Sequence, residues 1–457
     1  MRRPYSPLTK EEARRITAEY SFGTTVFPSR LDELSVYIHI PFCSSRCRYC
    51  DFYFETGWSA TVMARTLQRI LEEARFFMKH CGQPRVRTLY IGGGTPSVIP
   101  VAQLAPFLQE LSSVLQLSTE TLLEWSFEAN PENISPELLQ TLISSGVTRL
   151  SIGVQTFSDR LLKTLTRRAY SYTIEAALDL VNTNWVHPER SYSIDLISGI
   201  PTQTIQDIQS DIALIEQYQP QHVSHYTLTV EPATPLHQMI ERGDLQLPNQ
   251  DLLWEAMDDG LANLGYLNYE VSNYAKDNHW SKHNTAYWNM NPYIGLGPGA
   301  VGTIAIETAD SRIFPARLTN PDLFRYSAPS TRSWLHEVEP LSAYDLFIDY
   351  CITGLRTIWG IPYSEITAIF GKEILAVFDT FKKGQEHLFD DSNPDYLRCT
   401  PQGRLLQNSI IRQGLRAVEE SGGLAKLTQV VWPPSAIFSY SGLDSERPQK
   451  SDRYSAS

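Results

Sequence analysis

The sequence predicts an α/β fold: a partial (β/α)6 barrel followed by a small, mostly helical C-terminal domain. Two observations carry this. Between residues 35 and 230, short apolar runs alternate about six times with amphipathic stretches. Such alternation means parallel strands joined by crossover helices. Beyond residue 300 the alternation stops, and a helical pattern takes over from 341 to 432.

In chain order, residues 1–34 form an N-terminal extension. It begins MRRPYSPLTKEEARRITAEY, which has basic residues but no apolar signal core, and Glu11, Glu12 and Glu19 argue against a transit peptide. The barrel spans 35–302. Its expected strands are SVYIHI (35–40), RTLYIGG (87–93), WSFEAN (125–130), RLSIGVQ (149–155), YSIDLISG (192–199) and HVSHYTLTV (222–230). Helices are expected at 62–78, 104–116, 136–146 and 205–218, where apolar residues recur at three- and four-residue steps. In a barrel of this kind, chemistry belongs at the C-terminal ends of the strands. Residues 303–340 are polar, proline-containing and weakly periodic, and read as a linker or covering segment. The domain at 341–432 has an expected turn at TPQGR (400–404) and a short apolar run, LTQVVW (427–432). Residues 433–457, rich in Ser, Pro and charge, read as a disordered tail.

The chain has 457 residues, 42% hydrophobic and 20% charged, enough for one large domain and a smaller one. A net charge of -12 argues against a general binder of nucleic acid or anionic membranes. No apolar run approaches the ~18–20 residues of a membrane span. The cytoplasm is the expected compartment. Cysteine usage agrees: of six, Cys81, Cys351 and Cys399 are isolated, so no disulfide framework is visible.

The other three lie within eight residues, in FCSSRCRYCDF (42–52), directly after the first strand. Chance clustering of buried thiols is one reading of Cys43, Cys47 and Cys50. Structural zinc is another, but it wants four ligands, usually in two pairs, and no second pair exists. An iron–sulfur cubane normally takes four thiolates, and three leave one iron open to a small molecule.

Cys-x3-Cys-x2-Cys at the end of a first strand, with Tyr49 before the last Cys, resembles the signature of the radical S-adenosylmethionine (SAM) family. The resemblance implies a [4Fe-4S] cluster on Cys43, Cys47 and Cys50, with the amine and carboxylate of SAM on the fourth iron. In the family, the reduced cluster cleaves SAM to a 5′-deoxyadenosyl radical. The longer run YIHIPFCSSRCRYCDF resembles the branch of oxygen-independent coproporphyrinogen dehydrogenases and HemW-type heme chaperones. IGGGTPS (91–97), FEANPE (127–132), SIGVQTF (151–157), SIDLISGIP (193–201), YEVSNYA (269–275), HNTAYW (283–288) and IGLGPGA (294–300) extend it. GLRTIWGI (354–361) and TPQGRLLQN (400–408) carry it into the C-terminal domain.

By this resemblance Gly93, Gly94 and Thr95 contact the methionyl end of SAM, and Tyr37 and Glu128 match positions that touch SAM. Tyr49, the signature's aromatic, belongs with the cofactor-binding residues. Gln155, Arg167 and Asp195 match residues that hold a second SAM in the dehydrogenase. Read from the residues alone, the glycines make an ordinary turn. Glu128 would be costly if buried without a partner, and Arg167 is a solvated helix-end arginine.

Two functions compete: radical decarboxylation of a porphyrinogen propionate, and heme carriage on the same scaffold. The dehydrogenase pattern has a further Cys where this chain has Phe52, and CDF is the chaperone-like form. HNTAYW resembles the HNxxYW motif proposed to bind heme. His283 would supply an axial imidazole, and Tyr287 and Trp288 flat faces for the porphyrin. The bland reading is a core histidine beside packed aromatics. His279, four residues earlier, would share a helix face with His283 as a second ligand. Chaperone-type sequences often continue GPGA with His, where Val301-Gly302 stand here. The N-terminal extension keeps the dehydrogenase reading open, because that enzyme uses its N-terminal segment near the substrate. A related radical SAM methyltransferase has no feature of its own in the chain. The expected partners are heme and an acceptor protein, which could be membrane-associated.

Overall fold

The structure, a computed structural model, describes residues 4–5, 8–19, 27–307, 313–327, 336–422 and 430–432. Its centre is a run of seven parallel strands within a 13-stranded sheet. In space the order is Tyr293–Leu296, Glu33–Ile40, Arg85–Gly93, Glu124–Ala129, Arg149–Gln155, Ser191–Ser198 and His222–Thr227. The six expected strands are all present. The seventh, Tyr293–Leu296, pairs with the outer edge of the first. It is only four residues long, between Asn291-Pro292 and Gly297, and gives no periodic signal.

Most of the parallel strands set an apolar outward face against a polar inward one. On the first, Leu34, Val36, Ile38 and Ile40 are fully buried within the main core. Complete burial of such side chains stabilises the fold by about 1.5–3 kcal/mol each. The inward face is polar and bonded across strands. Thr88 Oγ1 donates to Ser35 Oγ at 2.7 Å, and Ser151 Oγ donates to Asp195 at 3.2 Å. Pairing of this kind is what makes a polar interior tolerable.

The segment expected to be a linker or cover is instead part of the sheet. Val301–Glu307, Ile313–Thr319 and Glu337–Pro340 form antiparallel strands beyond Tyr293–Leu296. Pro315 and Pro340 argue against strands by propensity. Yet Pro315 sits mid-strand opposite Ala305, and Ile304, Ile306, Phe314, Ala316 and Leu318 bury their side chains in the main core.

The helix Ala60–His80, N-capped by Ser59, covers the barrel beside these strands. Its Glu73 is fully buried. The carboxylate accepts from Gly297 N (2.9 Å), Asn320 Nδ2 (2.9 Å), Tyr326 OH (2.7 Å) and His336 Nε2 (3.3 Å). One side chain therefore ties the helix to the glycine loop and to Asn320, Tyr326 and His336.

From Ala343 to Glu420 the chain is mainly helical around a second core, with Phe347, Phe370, Phe378 and Phe381 at its centre. The expected turn at TPQGR is a short helix, Pro401–Leu405. Thr400 caps it by accepting from Gly403 N, and Pro401 takes the first helical position, where a missing N–H costs nothing. Of LTQVVW, Val430–Val431 pairs with Pro4–Tyr5, while 427–429 and the tail 433–457 lie outside the described residues. The described parts of the N-terminal extension are packed into the fold. Helix Lys10–Glu19 places Ile16 in the main core, and Phe27–Pro28 pairs with Ile306–Glu307. Among the described residues no helix is long and apolar enough to cross a membrane.

Candidate cofactor site

The loop after the first strand is held at several points. Glu55 N donates to Pro41 O (2.6 Å) and Cys43 N to Glu55 O (3.0 Å), closing the loop on itself. Trp58 Nε1 donates to Cys43 O, Arg48 N to Leu165 O and Leu236 N to Arg48 O. The three cysteines it carries are half-buried. Cys43 Sγ lies 3.6 Å from Thr95 Oγ1, and Arg167 Nη1 donates to Cys47 Sγ at 3.8 Å. Burial pushes the Cys43 thiol up to about 11; the Thr95 contact opposes this, and the neighbouring thiols add to it. Burial likewise raises Cys50.

These thiols open onto a cavity of about 400 Å³ at the C-terminal ends of the strands. Eleven of the thirteen expected site residues line it: the three cysteines, Tyr49, Gly93, Gly94, Thr95, Glu128, Gln155, Arg167 and Asp195. Glu128 Oε1 accepts from Tyr90 OH at 2.6 Å and Oε2 from Gly93 N at 3.1 Å. Burial nevertheless pushes its carboxyl up to about 7. Asp195 is also raised by burial, against hydrogen bonds from Ser224 and Ser151. Gln155 has φ +71°, at a register shift that ends its strand. Bulges and strained backbone of this kind re-aim side chains beside functional sites.

The glycine turn is required by the protein itself. A Cβ at Gly94 would stand 2.9 Å from the Phe42 and Pro41 carbonyl oxygens, and Gly93 has φ +116° with the His39 ring 2.7 Å from its Cβ position. The second strand's end thus packs directly under the cysteine loop.

Arg167 is not the solvated helix-end residue that its position in the sequence favours. It follows a left-handed cap at Thr166, and its Nη2 donates to Gly153 O (2.6 Å) and Asn130 Oδ1 (3.0 Å). Its Nε and Glu132 Oε2, both at the cavity, are buried without a partner among the described residues. Unsatisfied polar atoms at a cavity wall fit a polar ligand. Among the described residues no three His, Cys, Asp or Glu are gathered tightly enough for a single metal ion. A tetrahedral zinc site needs such a group, whereas a cubane spreads its thiolates over separate irons. Three thiols facing one cavity, beside buried unpartnered polar atoms, fit the iron–sulfur group.

Two expected residues lie away from the cavity wall. Tyr37 OH bonds His39 Nδ1 at 2.9 Å, and its ring sits behind Tyr90, centroids 6.1 Å apart. His283 is fully buried in the helix Lys282–Trp288. Its Nδ1 is 2.8 Å from Thr88 Oγ1 and its Nε2 2.6 Å from Tyr287 OH, so neither nitrogen is free for iron. Burial lowers its pKa to about 3, leaving a neutral ring. This corrects the picture of a presented imidazole: HNTAYW builds a packed helix whose tyrosine satisfies its own histidine. His279 precedes that helix, after Asp277 and Asn278 at positive φ, and does not share its face. Phe52, by contrast, is 74% exposed at the cavity rim.

A His283→Ala variant will orphan the Tyr287 hydroxyl, take one of Thr88's two partners and leave a cavity, at a cost of about 2–4 kcal/mol. Thermal unfolding will show the loss, while heme absorbance per folded molecule stays unchanged. A variant of wild-type stability that loses heme absorbance would return ligation to His283.

Sequence reasoning missed Asn130, Ser151 and Tyr226. Asn130 stands within FEANPE, and Ser151 shares an inward face with Gly153 and Gln155 by simple alternation. Tyr226 gave no signal.

Residues 37–215 match the radical SAM superfamily. Over 392 residues the chain is 32% identical to heme chaperone HemW of Bacillus subtilis, covering 82% of this chain and 97% of that one. HemW of Haemophilus influenzae is 28% identical over 389 residues (84% and 98%), and HemW of Lactococcus lactis 38% over 274 residues (59% and 70%). Among solved structures, coproporphyrinogen III oxidase (HemN), a radical SAM enzyme of Escherichia coli, superposes with TM-score 0.69. It is 21% identical, over 90% of this chain and 94% of that one, and speaks for the fold alone.

Proposed function

The chain belongs to the HemW family of heme chaperones within the radical SAM superfamily, and from that premise we propose that it binds heme and passes it to an acceptor protein. The observation that carries the reading is a cavity with three thiols and no fourth, rimmed by Phe52 where the dehydrogenase pattern has a cysteine. Cys43, Cys47 and Cys50 would hold a [4Fe-4S] cluster. A cluster so held supplies one iron open to the amine and carboxylate of SAM.

The remaining roles belong to the chain. Glu128 and Asp195 offer carboxylates to a cationic ligand. Gly93, Gly94 and Thr95 shape the wall next to the thiols, and Gln155 is aimed inward by its strained backbone. Arg167 keeps positive charge on Cys47. Phe54, with the Arg46 guanidinium 5.6 Å from its ring centroid, stands with Phe52 at the mouth and suits an apolar, anionic macrocycle. Titration of the full chain with heme, followed by Soret absorbance, will saturate at one heme per chain. Unsaturable, nonspecific uptake would sink the reading.

Glu128 gives a pH signature. Its carboxyl is raised from 4.5 to about 7, so between those values the folded protein holds a proton that the unfolded chain releases. That part of stability is present at low pH and lost as pH rises through about 7. A cationic ligand favours the ionised form, so SAM will bind more tightly as pH rises through this window and level off above it. Asp211 and Glu270, away from the cavity, are also pushed up to about 7 by burial, so the pH dependence of binding, compared between wild type and a Glu128 variant, reports on Glu128 where stability does not. Calorimetric titration across pH will find this slope in wild type and a clearly smaller one in Glu128→Gln, the remainder belonging to Asp195, which burial also raises. An equal slope in both would remove Glu128 from SAM recognition.

A further inference from the structure

At the opposite end of the barrel, by the N-terminal ends of the strands, a second cavity of about 220 Å³ opens beside the helix Lys282–Trp288. Arg149 begins the fourth barrel strand and lines this cavity. It lies two residues before inward-facing Ser151 and so shares its face. Arg149 is only 4% exposed. Among the described residues its guanidinium has no hydrogen-bond or ion-pair partner.

Its charge acts on Asp195 only through space, helping to hold that carboxyl down, and a guanidinium this buried with no hydrogen-bond or ion-pair partner is costly. Nearby acids are committed elsewhere. Glu124 accepts from the backbone N–H of Lys282 (2.9 Å) and His283 (3.1 Å), and Asp195 from Ser151. Glu189 and Asp277, on the rim, are exposed to water. Lys282, whose Nζ also donates to Leu123 O (3.3 Å), and His279 stand on the same wall.

We infer that this cavity binds a carboxylate, held bidentately by the Arg149 guanidinium with Lys282 and His279 at its mouth. The space admits a short carboxylate arm or a small acid, and not a porphyrin ring. The source is a free organic acid or a heme propionate; the second rests on the function proposed above.

The test uses the full chain labelled with ¹³C at histidine rings, the His279 resonance assigned by His279→Asn. Succinate is the probe. It will shift the His279 signal saturably, and Arg149→Gln will weaken binding by about tenfold or more, as loss of a charge-assisted pair requires. Arg149→Lys, which keeps the charge, will restore part of it and control for folding. A signal unmoved up to the solubility of succinate, or moved equally in Arg149→Gln, would mean that the cavity holds only water. Heme and heme dimethyl ester separate the sources. Competition by heme but not by its ester assigns the site to a propionate; no competition by bound heme assigns it to a free acid. Failure of heme to bind anywhere would overturn the proposed function and leave the succinate result standing.

Discussion

A Cys50→Ala variant, reconstituted anaerobically, will carry no iron–sulfur cluster. Two thiolates cannot anchor a cubane, and nothing nearby replaces the third. The residue two positions on is Phe52, whose side chain faces solvent. Cys81, Cys351 and Cys399 are buried in the two cores, and burial pushes the thiols of Cys81 and Cys399 up to about 12. They are neither near the loop nor inclined to ionise. Iron and sulfide analysis will find the variant close to empty, and Cys43→Ala and Cys47→Ala will behave alike. Cys81→Ala will keep its cluster and lose only some core packing. Full occupancy in Cys50→Ala would overturn the ligand set.

The second large effect lies far from the thiols. Glu73→Ala will destabilise the fold by about 3–5 kcal/mol, the range for removing one member of a buried charged network. Four donors lose their acceptor at once: Gly297 N, Asn320 Nδ2, Tyr326 OH and His336 Nε2. Its neighbour Glu72, paired to Arg69 at the surface, should change stability by no more than about 0.5 kcal/mol on the same substitution. Denaturant unfolding of the two variants makes the comparison. Similar midpoints would mean that the buried network contributes nothing net. The damage should also reach the cysteine loop, because Tyr53 OH accepts from Leu323 N within the segment that Glu73 anchors.

The contrast between these two residues shows what the sequence makes legible. Three cysteines in eight positions are informative because their chemistry needs close spacing along the chain. The six strands were legible because their outward faces are mostly apolar, His225 being an exception. Glu73 was invisible: in LQRILEEARFFM it looks like any solvated acid on an amphipathic helix. Its burial depends on partners 224 to 263 residues away. The antiparallel strands after residue 300 were hidden by prolines that a mid-sheet position normally excludes. Arg167 and His283 erred in opposite directions. Local context made Arg167 look solvated, and tertiary packing brings it to the cavity. The HNTAYW motif made His283 look like a ligand, and Thr88, from a distant strand, takes one of its nitrogens. Local chemistry reads well from sequence, whereas burial set by remote contacts does not.

The measurement that bears most directly on the account is a parallel assay of anaerobically reconstituted protein. One arm titrates heme; the other supplies SAM, a reductant and coproporphyrinogen. We expect saturable heme binding at one per chain and no protoporphyrinogen. Protoporphyrinogen formed at many turnovers per chain, or the absence of any saturable heme binding, would contradict it.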